Sequence, residues 1–190
     1  MAMEVNFPVQ LVDYVVEEFQ FNAHPAFRDG KPESIEQLNP SKRALSLDIG
    51  WTFAEKDPDT DQGAASGTES LLVYFTVGVN EGEDWERESM YSIRLKLVGL
   101  IRRAALERVT QQNEGITEAE YLHHTITHAI ADLYGSARTV IVSMTAQGPY
   151  QKLTLPSIAA EGIARQVIKA QKEPGGNGQG ETNTGASEDE

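Results

Sequence analysis

The cleanest hydrophobic pattern in the chain runs from residue 45 to residue 53. Leu45, Leu47, Ile49, Trp51 and Phe53 fall in one phase, and Ser46, Asp48, Gly50 and Thr52 in the other. That period of two predicts a half-buried strand of an antiparallel sheet. The opening segment is less regular: Phe7, Val9, Leu11, Val15, Phe19 and Phe21 share one phase, but Val12, Tyr14 and Val16 take the opposite one. Apolar residues in both phases predict a strand covered on both faces along part of its length. It breaks at Asn22-Ala23-His24-Pro25. A third strand is expected over Leu71–Val79, closed by the polar run Asn80 to Asp84. A fourth runs from about Arg87, with Tyr91, Ile93, Leu95 and Leu97 in phase. Four strands joined by polar loops predict an antiparallel meander.

The period changes after residue 100. Gly99 to Asn113 is compatible with a longer strand, a short helix or a crossover. Beyond Thr117 the spacing of Tyr121, Ile126, Ile130, Leu133, Val140, Ile141 and Met144 predicts one long helix. Thr117 with Glu120 three residues on has the form of a capping box, and Gly148-Pro149 is the stop signal. A shorter amphipathic helix is expected from Ser157 to Lys172, with Ser157 as its cap and Ile158, Ile163, Val167 and Ile168 on its apolar side. From Glu173 onward no large apolar residue and no Lys or Arg occurs, while five residues are acidic. Such a segment cannot bury enough surface to offset its ordering entropy. The predicted fold class is therefore α+β, a four-stranded antiparallel sheet followed by a long and a short helix. The predicted division is a folded domain over 1–172 and a disordered acidic, Gly-rich tail over 173–190.

Composition narrows the function classes. Sixteen Lys and Arg face 29 Asp and Glu in 190 residues, a formal net charge of −13. Such a surface repels phosphate backbones, so nucleic acid is not an expected partner, and basic partners are favoured. The absence of cysteine removes disulfides, thiolate metal sites and thiol nucleophiles. The first residues lack a basic n-region and a cleavage site, and no apolar run reaches a membrane span. A cytoplasmic protein without membrane insertion is expected.

Three groupings have some chemical form. Asp57 to Gly63 followed by Glu69 resembles a calcium loop, but the glycine is one place late and the glutamate falls at the thirteenth position. His124 and His128 stand four apart on the long helix, a spacing that can bind zinc, with His123 and Glu120 nearby; the HEXXH pattern is missing. The Gly-rich run 175–180 follows no strand and precedes no helix, so it is not a phosphate loop. No nucleophile elbow or paired-carboxylate spacing is present. The expectation is a protein that is not an enzyme and uses no cofactor or metal.

The order of elements resembles the SecB family of export chaperones. The segment LVDYVVEEFQFNAHPAF resembles that family's first strand. Leu133-Tyr134-Gly135-Ser136-Ala137-Arg138, and then Gly148 to Pro156 (GPYQKLTLP), resemble its long-helix step and the approach to its last helix. Gly135 departs from the family, which often has proline there. The resemblance implies an ATP-independent holdase that keeps unfolded preproteins export-competent in apolar grooves. It implies a homotetramer built as a dimer of dimers. Leu45, Leu47 and Trp51 on the second strand, with Ile158 and Ile163 of the last helix, are the implied client-binding residues. Glu18 roughly matches an acidic position through which the family docks its translocation ATPase, SecA. Family members dedicated to an antitoxin client form an alternative. Outside the family, two other readings stand: an oligomeric adaptor whose apolar surface is used up in self-association, and a metal-dependent enzyme built on His124 and His128.

Overall fold

The computed structural model describes residues 9–24, 44–54, 68–82, 89–112, 115–148 and 152–172. The loop over 28–42, the Asp57–Gly63 run, the beginning of the fourth strand near residue 87 and the tail from 173 all lie outside these residues. Among the described residues there are four strands, β1 (Val9–Ala23), β2 (Leu45–Phe53), β3 (Thr68–Val79) and β4 (Tyr91–Ala104). Three helices are described after them: α1 (Leu106–Gln112), α2 (Glu118–Ala146) and α3 (Ala160–Lys172). The ambiguous stretch after Gly99 thus divides between the end of β4 and the short helix α1.

All pairings are antiparallel, in the order β1-β4-β3-β2. The last three strands form the expected meander. β1 departs from it by pairing with β4 rather than β2, so β1 and β2 are the two edges. Alternation along a strand sets which face each side chain takes and leaves the neighbouring strand open.

One face is the core. Leu71, Val73, Phe75, Val77 and Val79 of β3, with Ile93, Leu95, Leu97 and Ile101 of β4, are buried there against Ile126, Ala129, Ile130, Leu133, Ala137 and Ile141 of α2. Gly99 lets that helix approach closely: a Cβ at this position would lie 2.7 Å from Cδ2 of Leu133. The expected capping box is present. Thr117 Oγ1 accepts from the Glu120 backbone N–H, and the Glu120 carboxylate accepts from the Thr117 N–H at 2.9 Å. The Thr117 N–H and the Thr117 hydroxyl, both donating to this carboxylate, hold it below its ordinary range. The helix ends at Ala146, with the Gly148 N–H reaching back to the Thr145 carbonyl.

The chain then returns along α2 in extended form. Thr145 Oγ1 accepts from the Leu153 N–H, and the Tyr134 hydroxyl donates to the Pro156 carbonyl at 2.6 Å. With Leu153 and Leu155 buried, residues 152–159 are pinned before any helix starts. The final helix consequently begins at Ala160, three residues after the expected Ser157.

β1 explains its own irregular pattern. Its register against β4 slips between Leu11 and Asp13 and again between Val16 and Glu18. Each slip is a β-bulge, which inserts one residue and inverts the phase beyond it. Leu11, Tyr14, Val16, Phe19 and Phe21 therefore all stand opposite core-facing β4 positions. The expectation of burial on both faces is corrected at the centre of the strand: Val12, Tyr14, Val15 and Val16 are exposed.

Candidate functional site

The sheet face turned away from the helices has two unlike halves. Pairing across β1, β4 and β3 places Val15, Val98 and Tyr74 in one row, and Asp13, Leu100 and Leu72 in the next. Val15 is 62% exposed and Tyr74 38%, while Leu72, Val98 and Leu100 are half-buried by one another. None of the five belongs to the core cluster, and the helix residues that pack on the sheet do so from the other side. The result is an apolar patch on an open surface.

Toward the β3–β4 turn the same face becomes ionic. Lys96 Nζ lies 2.8 Å from Glu17 Oε2, and Arg94 Nη1 lies 3.0 Å from Glu81 Oε1. The Glu81 carboxylate also accepts from Ser46 Oγ at 3.0 Å, so one side chain ties β2 to β4 across β3. It occupies the space that a side chain at Gly78 would need. Its hydrogen bond and charge push the Arg94 guanidinium further up, as Glu17 does for Lys96. Glu18, the expected partner-docking residue, lies on this face. It accepts from Gln20 Nε2 at 2.7 Å and sits 3.8 Å from Arg94 Nε, so its charge is partly compensated within the chain.

The expected client-binding residues gather on the other face. Leu45, Leu47 and Trp51 are half-buried on the helix side of β2; Ile158 is half-buried just before α3 and Ile163 within it. All five pack against the main core, and Gln171 near the end of α3 reaches the Trp51 carbonyl at 3.5 Å. They form one apolar flank between the β2 edge and α3. Glu18 is at the opposite edge strand on the opposite face.

At the end of that flank stands a group the sequence reading missed. Arg103, 3% exposed, points to the helix side. Its Nε and Nη2 both donate to Oε2 of Glu69, at 3.0 and 2.7 Å. Its guanidinium carbon lies 4.8 Å from the Tyr121 ring and 5.2 Å from the Phe53 ring, a stacked arrangement that suits a planar, weakly hydrated cation. Tyr121 is fixed in turn by donating to the Ala104 carbonyl at 2.7 Å, and its phenol is pushed up by burial. Glu69, the distal residue of the calcium-like spacing, is thus committed to Arg103. The Arg103 signal lay in the run LIRRAALERV, where an arginine in phase with apolar residues marked a buried charge.

The histidine pair is formed: the rings of His124 and His128 lie 4.4 Å apart. Burial, then the neighbouring His128 and His123, push the His124 imidazole down. Glu120 is used in the helix cap and does not join them. Among the described residues no group of three or more His, Asp or Glu could hold a metal ion, and no helix is long and apolar enough to cross a membrane.

No family model and no curated protein matches this chain. Among solved structures, the chain is similar to a SecB-like chaperone of Mycobacterium tuberculosis in complex with a peptide from the HigA1 antitoxin. That similarity covers 79% of this chain and 90% of the other at 15% identity, with a TM-score of 0.39.

Proposed function

We propose that this protein is an ATP-independent holdase that binds unfolded polypeptide on apolar surface. The observation that carries the reading is the uneven cover of the sheet. One face is buried beneath the helices across β3 and β4, while the other leaves Val15 and Tyr74 open beside Leu72, Val98 and Leu100. The half-buried flank of Leu45, Leu47, Trp51, Ile158 and Ile163 supplies a second apolar surface at a strand edge. Extended chains are captured by such edges and grooves through weak, sequence-tolerant contacts, and several sites on one oligomer add avidity. The acidic surface attracts basic unfolded clients and speeds their encounter.

On this reading the protein is cytoplasmic, has no catalytic residue and needs no cofactor. It assembles as a homotetramer through further apolar surface, and releases preprotein to SecA docked near Glu18. A single antitoxin as dedicated client is the narrower form of the same reading. The adaptor reading draws on the same open patch, since a second copy would cover it.

The test is refolding of a denatured, slow-folding client followed by light scattering. Suppression of scattering at near-stoichiometric protein without ATP is expected. A well-folded oligomer that leaves scattering unchanged overturns the general holdase and favours the dedicated or adaptor form.

A further inference from the structure

Among the described residues two buried hydrogen-bond donors are without an acceptor, and both border one aromatic ring. They are Nε1 of Trp51 and Nη1 of Arg103. Trp51 meets Phe53 edge to face with ring centroids 5.6 Å apart, and the Arg103 guanidinium carbon lies 5.2 Å from the same Phe53 ring. Buried polar groups are almost always paired, because an unpaired donor forfeits its hydration and gains nothing in return. Two such donors at one corner of the fold point to acceptors that arrive from outside.

We infer that Trp51 and Arg103 are the polar contacts of the polypeptide site, donating to backbone carbonyl oxygens of an extended apolar segment that displaces the Phe53 ring. This rests on the holdase reading and names what the site grips. The acceptor is a neutral carbonyl, not a carboxylate: Glu69 already balances the Arg103 charge through Nε and Nη2. Nη1 therefore offers a directed donor with no spare positive charge, and a net charge of −13 further disfavours an anionic group. A backbone carbonyl recurs at every residue of any client, so this grip makes no demand on sequence. The spacing also fits. The indole and guanidinium are no further apart than their two distances to Phe53 combined, which about three residues of extended chain would span.

Phe53 is suited to be the part that moves. It is the last residue of a strand that, among the described residues, pairs with β3 alone, and it is 47% exposed. Arg103 is held by Glu69 and stacked on Tyr121, so the donor stays in place when the ring turns. From the opened donors the helix side of β2 continues through Ile49 and Leu47 to Leu45, all partly buried against the core, and this row takes the apolar side chains of the same segment.

The experiment compares the affinities of a capped ten-residue Leu/Ala/Ser peptide and its depsipeptide, in which esters replace alternate amides and the carbonyls are weaker acceptors. Both are measured by calorimetry against the wild type and Trp51→Phe. The expected result is a wild-type preference for the amide of about fivefold, the scale of one neutral hydrogen bond. Trp51→Phe should bind the amide severalfold more weakly, weaken the ester less and so shrink the preference. Benzothienylalanine at position 51, which keeps the bicyclic ring and removes only the N–H, should behave the same way if Phe perturbs folding. A preference equally large in the wild type and both replacements overturns this inference while the holdase reading survives. Failure of the wild type to bind either peptide overturns both.

Discussion

The two faces of the sheet are built from the same strands and differ in what lies over them. On β3, Leu71, Val73, Phe75 and Val77 are fully buried beneath α2, whereas the intervening Leu72 is half-buried and Tyr74 exposed on the other face. Both faces carry aliphatic and aromatic side chains. The covered face has lost its contact with water and contributes stability, at roughly 25 cal/mol for each Å² of apolar surface removed. The open face retains that free energy for a later partner. Buried apolar residues on the first face thus hold the fold, and the exposed ones on the second contribute little to it.

The comparison is most easily broken from the covered side. Leu133→Ala removes a fully buried side chain of α2 that meets the Gly99 backbone. A loss of about 2–5 kcal/mol is expected, as for other buried leucines, read from the midpoint of urea denaturation. A loss below about 1 kcal/mol would mean that the helix layer is loosely applied. Gly99→Ala tests the same contact from below. Its Cβ would lie 2.7 Å from Leu133 Cδ2 and 3.1 Å from Cδ1. Both methyls must shift, and about 1–3 kcal/mol is expected to be lost. The double variant should recover part of this, because Leu133→Ala clears the space that the new methyl needs.

The two longer helices and β2 were legible in the sequence because each carries its own local signal, whereas the short α1 was one of three readings left open for its stretch. Strict alternation marked β2, and the Thr117–Glu120 spacing marked the start of α2. The bulges of β1 have no such signature: Val12 and Glu17 are ordinary strand residues, and only pairing with β4 reveals the extra residue at each slip. The place of β1 beside β4 was equally hidden, since alternation encodes a face and carries no information about the neighbour. The start of α3 was misplaced because Tyr134, twenty-two residues away in sequence, holds Pro156 in extended chain. The apolar character of the β2 flank was readable from its alternation, while the open patch on the other face and the buried Arg103 were not. Arg103 needs Glu69, Phe53 and Tyr121 from three other elements before its role is visible.

Acidification should loosen the layer that makes the two faces different. His124 on α2 has its imidazole pushed down by burial and by His128 and His123, so the unfolded chain takes up the proton more readily than the folded one. The stability held in the neutral group is complete above the ordinary value of 6.5 and is lost as pH falls below it. Thermal melts at pH 7.5, 6.5 and 5.5 should show a falling midpoint between the last two. In His124→Gln that step should shrink. A melt that is flat across the range in the wild type would show that the pair is relieved by movement of the rings.

The smallest effect on stability, and the sharpest on the comparison, is expected from the open face. Val15→Ser with Tyr74→Ser replaces the two most exposed members of the patch. Neither packs in the core, so the denaturation midpoint should move by no more than about 0.5 kcal/mol for each change. Binding of an apolar dye and suppression of client aggregation should both fall, because the patch loses apolar area at its centre. The adaptor reading gives the opposite pattern. If a second copy already covers this face, the wild type binds little dye, and the double variant loses stability in a concentration-dependent way as its oligomer weakens. Dye binding and the concentration dependence of the melt, measured on the same two proteins, therefore decide whether the uncovered half of the sheet is kept for clients or for another copy of the chain.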